Sequence, residues 1–330
     1  MRRGAPAVAA PAVAALAVAL TGCAASPPLA DGLPRDAPRA IELSATPFYP
    51  QEDYQCGPAA LATVLGASGL DVTPGNIAPE VFIPGLRGSL QLELIGAARR
   101  HERLPYVLSS TADEMVAELA AGRPVLVLQN LGAERLPLWH YAVLIGYDTE
   151  RNVALLRSGG RKRLEMRWQR FAKTWHRGGR FAFTTLEPGE IPAHAEASRY
   201  VEAAAGLEAA GVRRAAAAAY DAAIVRWPDE ANAWLGRGNI AYADGDRNGA
   251  ADAYLRAILL APADAAARNN LAQLLADAGC ADEARRQAER AARLAQGSAL
   301  ATAVAETRAT IESMEKPPAS CRLGDRAWPD

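Results

Sequence analysis

Apolar and polar positions fall into two regimes along the chain. As far as about residue 190 the apolar runs are short and broken by Pro and Gly; beyond it they are Ala-rich and helically spaced. In the first regime, residues 59–65 are apolar on most faces, which predicts a buried helix entered through Pro58 and ended by Gly66 and Gly69. Residues 72–88 are rich in Pro and Gly and carry no periodic signal. Leu90, Leu92, Leu94, Ile95 and Ala98 predict a helix over 89–100 with Ser89 as its cap. A short strand is expected at 105–109. A helix follows at 111–121, where Thr111 and Glu114 form a capping-box pattern. Residues 124–130 read as a buried strand and 132–138 as a loop. Residues 140–147 and 153–158 predict two strands around a turn, 163–167 a third, 169–175 a short helix and 180–186 a last strand. Helix first, then an antiparallel sheet, is an α+β order.

Pro188 and Pro192 bracket a boundary. Beyond it the chain repeats itself at a period of thirty-four: Gly211, Gly245 and Gly279 are in register, as are Ala216, Ala250 and Ala284, and Tyr220 with Tyr254. This pattern resembles the tetratricopeptide repeat. The resemblance implies three helical hairpins over 197–298, a capping helix over 300–314, and a concave face that takes a peptide or a protein partner. The domain plan is a leader at 1–22, a flexible tether at 23–42, an α+β domain at 43–190, an all-α repeat solenoid at 196–316 and a tail at 317–330.

Half of the residues are apolar, so a real core can form, and the net charge of −1 gives no support for nucleic-acid binding. No phosphate loop or zinc-ligand spacing is present, and no cofactor or metal is called for. The amino terminus changes the picture more. A basic start, Met1-Arg2-Arg3, leads into an apolar run over 5–20 that is too short to span a bilayer comfortably. It ends in Leu20-Thr21-Gly22-Cys23, which resembles the bacterial lipobox. The resemblance implies lipid attachment at Cys23. Ala24 after it implies sorting to the outer membrane, facing the periplasm, with the membrane met only through the lipid.

Cys56 stands where a polar, irregular run gives way to the apolar helix. A thiol at a helix N-terminus meets unsatisfied N–H groups and the positive end of the dipole, which favour the thiolate. Gln51 lies five residues upstream, within reach of an oxyanion, and Gly57 leaves room for a substrate backbone. His140 opens the strand-like run HYAVLIGY, in the order expected of a Cys–His pair. These segments, QEDYQCGPAALATVLGASG and WHYAVLIGYD, resemble the C39 family of papain-like cysteine peptidases over about residues 43–187. With the repeats, the whole resembles a bacterial lipoprotein that joins a C39-like domain to tetratricopeptide repeats.

The resemblance gives Cys56 the nucleophile's role, His140 that of base and then acid, and the Cys56 N–H with Gln51 the oxyanion hole. One member departs from the family, which carries an Asp roughly sixteen residues beyond the His. Here that place reads Leu155-Leu156-Arg157-Ser158-Gly159, without a carboxylate. Asp148 lies eight residues along the strand, about 26 Å from His140 at roughly 3.3 Å per residue. A turn centred on Glu150 favours Ser158 as the orienting group, with Asn130 as an alternative. An oxidising compartment makes Cys280 and Cys321 candidates for a disulfide, whereas Cys56 must stay reduced. Two readings follow. One is a lipid-anchored peptidase whose repeats recruit a peptide or protein substrate or partner. The other, favoured by the missing Asp, is a peptide-binding scaffold without catalysis.

Overall fold

The computed structural model describes residues 37–50 and 55–313 and the single positions 29, 33, 321, 323 and 328. Its first half is an antiparallel sheet with helices on both faces. The strands are β1 (Ala40–Glu42), β2 (Leu104–Val107), β3 (Val125–Asn130), β4 (Trp139–Asp148), β5 (Val153–Ser158), β6 (Arg161–Arg167) and β7 (Ala182–Leu186). Their order is β2-β7-β3-β4-β5-β6, and β1 adds to β4 beyond the end of β3. The fully buried run of β3 follows from this order, because a central strand covered on both faces has no side to leave polar.

Alternate residues feed two cores. Leu126, Leu128, Tyr141, Val143 and Ile145 pack under α1 (Cys56–Ala67), α2 (Pro74–Val81) and α3 (Gln91–Arg100). Val125, Val127, Ala142 and Leu144 pack on the other face with α4 (Ala112–Ala120) and α5 (Trp168–Arg177). The second core runs on without a break into α6 (Ala197–Ala209) and α7 (Arg213–Arg226), through Tyr200, Val201, Leu207 and Tyr220.

The boundary at 187–196 is therefore a fastened joint. Glu114 of α4 accepts from Arg199 of α6 at 2.7 and 3.1 Å and from the Ser109 N–H at 2.7 Å. Glu118 accepts from the Ala193 N–H, and the Tyr106 hydroxyl accepts from the Glu196 N–H. Glu114 is thus an interface group. Thr111 is the N-cap of α4 by position, but its side chain makes no cap hydrogen bond.

The remaining helices are α8 (Ala231–Ala243), α9 (Arg247–Leu260), α10 (Ala265–Asp277), α11 (Ala281–Leu294) and α12 (Ala301–Ser313). With α6 and α7 they form three successive hairpins closed by α12. Gly211, Gly245 and Gly279 all have positive φ (76°, 81° and 81°), so the thirty-four-residue register marks the left-handed turn inside each hairpin. A polar ladder links the first helices of the hairpins: Asn270 donates to Asn239 at 2.8 Å, and Asn239 donates to Glu208 at 3.0 Å. Cys280 and Cys321 are joined in a disulfide, which brings position 323 against the α10–α11 core.

Three expectations change. Residues 72–88 contain α2, whose start is a reciprocal Thr73–Asn76 capping box inside the Pro-rich passage. Ser89 does not cap α3; Leu90 holds the N-cap position. The tether does not extend to residue 42. Ala40–Glu42 is β1, the Tyr147 hydroxyl bonds the Pro38 carbonyl, and Leu29 is fully buried with its N–H on Asn152.

Candidate active site

Helix α1 begins at Cys56 itself, after an N-cap Gln55 that makes no side-chain cap bond. Gly57 through Leu65 are all buried, so the thiol is delivered to the end of β4 by a helix fixed along its whole length. The fit is tight at its first turn. A Cβ on Gly57 would stand 2.5 Å from the Ser89 hydroxyl oxygen. The Ser89 carbonyl accepts from the Tyr141 hydroxyl at 3.1 Å, and its own hydroxyl is buried without a partner among the described residues.

The half-buried Cys56 thiol lies against the backbone N–H of Tyr141, the residue after His140. Burial pushes the thiol above its ordinary pKa, and the N–H groups of Tyr141, Gly57 and Cys56 oppose this without cancelling it. Burial thus works against the expected thiolate: at this helix end desolvation outweighs the backbone N–H groups. Burial likewise holds His140 below the usual histidine value, and no carboxylate among the described residues offsets it. Both groups rest neutral.

His140 Nε2 is 2.8 Å from Ser158 Oγ. The hairpin register explains the contact. Val143 pairs with Arg157, so Ser158 lies on the same face as His140 and one diagonal step away. Ser158 is buried, which shields the bond from competing water. Asn130 does not serve as the orienting group. Its carboxamide oxygen accepts from the N–H groups of Gly132 and Leu138, both at 3.0 Å, and organises the loop before Trp139. Asp148 sits at the far end of β4, where it caps the turn through the Arg151 N–H. Trp139 is 55% exposed and is therefore not core packing. Leu138 beside it and Leu90 next to Ser89 are also exposed.

Gln51 and Cys23 lie outside the described residues. The sequence reading missed Arg157. It is buried, and its guanidinium holds the carbonyls of Ser44 and Thr46, each at 2.9 Å, so it fixes the segment that leads toward Gln51. An arginine within the otherwise apolar run VALLR was the available signal. Ser89 was noticed only as a cap.

The fold and this constellation define a class: a helix that begins at a cysteine, laid on an antiparallel sheet whose histidine is hydrogen-bonded to a serine. Comparison with known families agrees, because residues 44–183 match the model of the Peptidase_C39 like family. Cys56, His140 and Ser158 all lie within the matched segment. Among solved structures, similarity is found to a Bacillus anthracis protein assigned as a C39-like peptidase (20% identity, 46% of this chain and 98% of that one, TM-score 0.39). The peptidase domain of Streptococcus ComA, a bifunctional ABC transporter of a quorum-sensing pathway, is also similar (21%, 43% and 98%, 0.34). So is the Yersinia enterocolitica type III secretion translocator chaperone SycD (19%, 35% and 82%, 0.33). No curated protein matches the chain.

Proposed function

We propose that the α+β domain is a C39-like cysteine peptidase that hydrolyses peptide bonds with Cys56 and His140. The observation that carries this reading is the His140–Ser158 hydrogen bond, one residue along β4 from the Tyr141 N–H against which the Cys56 thiol lies. In the tautomer that donates Nε2–H to Ser158, the lone pair of the ring is on Nδ1. As the sulfur attacks a peptide carbonyl, the thiol proton passes to Nδ1 and a C–S bond forms. The imidazolium then protonates the leaving amine as the C–N bond breaks. Water, deprotonated by the same imidazole, hydrolyses the thioester. The N–H of Cys56 and the side chain of Gln51 serve as oxyanion donors. Because both groups start neutral, proton transfer accompanies attack instead of preceding it.

In the same reading Cys23 carries the lipid and the chain sits in the cell envelope, on the periplasmic face of the outer membrane. The helical hairpins are tetratricopeptide repeats that bring a substrate or partner protein to the peptidase. A second reading, a peptide-binding scaffold without catalysis, is favoured by the burial that raises the thiol pKa and by the lack, among the described residues, of a carboxylate partner for His140. The deciding experiment compares iodoacetamide with a peptidyl chloromethyl ketone as labels of Cys56, in the native chain and in His140→Ala. A peptide-like reagent that reacts much faster than iodoacetamide, and only with His140 present, supports the peptidase. Equal, His140-independent rates for both reagents sink it and leave the scaffold.

A further inference from the structure

Residues 161–180 hold eight lysines and arginines against a single carboxylate, Glu165, in a chain whose net charge is −1. Arg161, Lys162, Arg163 and Arg167 stand on β6, an edge strand of the sheet, and Arg170 and Lys173 on the exposed side of α5. Trp168, Phe171 and Trp175 bury the inner side of that helix. Arg163 is paired with Glu42 and Glu165. Arg161, Lys162, Arg167, Arg170 and Lys173 are exposed and make no ion pair among the described residues.

The amino-terminal segment arrives at this same place. The Leu29 N–H bonds Asn152 Oδ1 at 3.1 Å, the Asn152 carbonyl accepts from the Trp168 N–H that opens α5, and Arg167 pairs with the neighbouring Val153. Only six residues separate Cys23 from Leu29, a reach of about 20 Å at roughly 3.5 Å per residue.

We propose that the β6–α5 face is a membrane-contact surface that lies on anionic phospholipid headgroups beside the anchor. The tether argument rests on the lipid attachment proposed at Cys23; the charge argument does not. A basic patch adds electrostatic attraction to anionic headgroups and so orients a protein held beside them. The apolar side of α5 is already used inside the protein, so the contact is electrostatic and does not insert. Because the unpaired cations run from the Asn152 end of the edge back to Arg161 and Lys162, the domain lies on its side. The cleft then opens along the membrane, two strands in from the contact edge.

The test uses the unlipidated chain from residue 24 onward in co-sedimentation with vesicles. It is expected to bind equimolar phosphatidylglycerol–phosphatidylcholine vesicles and not pure phosphatidylcholine ones. Release is expected near 1 M salt, where screening acts within about 3 Å. Each cation near such a surface contributes roughly five-fold, so Arg167→Glu, Arg170→Glu and Lys173→Glu together lower partition by about a hundredfold. Lys173→Glu alone gives a graded loss in a chain whose folding is less in question. Indifference to lipid charge, or to these reversals, overturns the proposal. The mass of the mature amino terminus of the full chain reports on Cys23 separately, so failure of the anchor and failure of the surface are told apart.

Discussion

His140 Nε2 and Ser158 Oγ stand 2.8 Å apart, a hydroxyl taking the position that a carboxylate would be expected to hold. A hydroxyl orients the ring but, able to donate or accept, leaves the tautomer open and adds little charge stabilisation to an imidazolium. Ser158→Ala should lower kcat/KM on any peptide substrate by about tenfold, the size of one neutral hydrogen bond. Ser158→Asp should raise the His140 pKa, because a negative neighbour favours the charged ring. The His140-dependent limb of the pH–rate profile then moves upward. A profile unmoved by Ser158→Asp would show that Ser158 does not orient the base.

The Cys56 thiol is held above its ordinary pKa by burial. Its iodoacetamide labelling should therefore have a midpoint above the value of about 8.5 for a free thiol. Since His140 rests neutral, His140→Ala should leave that midpoint nearly unchanged. A midpoint well below 8.5 that His140→Ala abolishes would mean a preformed ion pair.

Gly57 meets Ser89 where a Cβ would stand. Gly57→Ala should destabilise the fold by about 1–3 kcal/mol, as overpacking does in a fixed core. Ser89→Gly in the same chain removes both the hydroxyl and the Cβ that clash, and should recover most of the loss in urea denaturation. No recovery would place the strain elsewhere.

Glu114 joins the two halves through Arg199. Burial alone would raise its pKa, but the Arg199 and Ser109 hydrogen bonds hold it below the usual carboxylate range. A depressed carboxylate contributes stability that is present above its unfolded value of about 4.3 and is lost as pH falls through the folded value. Proteolysis within 187–196 should therefore quicken as pH drops below about 4.3. Glu114→Gln should make the joint susceptible already at neutral pH, with a weaker pH dependence.

Much of the fold was legible in the sequence, because its signals are local. The runs that became β3, β4 and β5 alternate or are wholly apolar, and the repeat period showed where the hairpins turn. The helix α2 was hidden because its Pro residues are tolerated near a helix start, where Pro74 lacks only an N–H that would go unpaired. Strand β1 was hidden because three residues that pair with β4 across about a hundred positions leave no periodic trace. In the site, the hairpin count found Ser158, since register is set by turn length. The charge states were not legible. Whether the dipole or desolvation governs a thiol depends on how deeply the helix end is covered, and that depth is a tertiary property.

The depth of Cys56 bears on its survival as well as on its reactivity. Whatever surroundings close the Cys280–Cys321 bridge also bathe Cys56, the free cysteine among the described residues. Oxidants attack the thiolate, so a low-pKa nucleophile would be converted early to sulfenic acid or a mixed disulfide. A neutral thiol under cover presents almost none of the vulnerable form between turnovers. In the proposed reading the protein thereby keeps Cys56 reduced where Cys280 and Cys321 are oxidised, and the thiol becomes a nucleophile only when a bound carbonyl accepts its electrons.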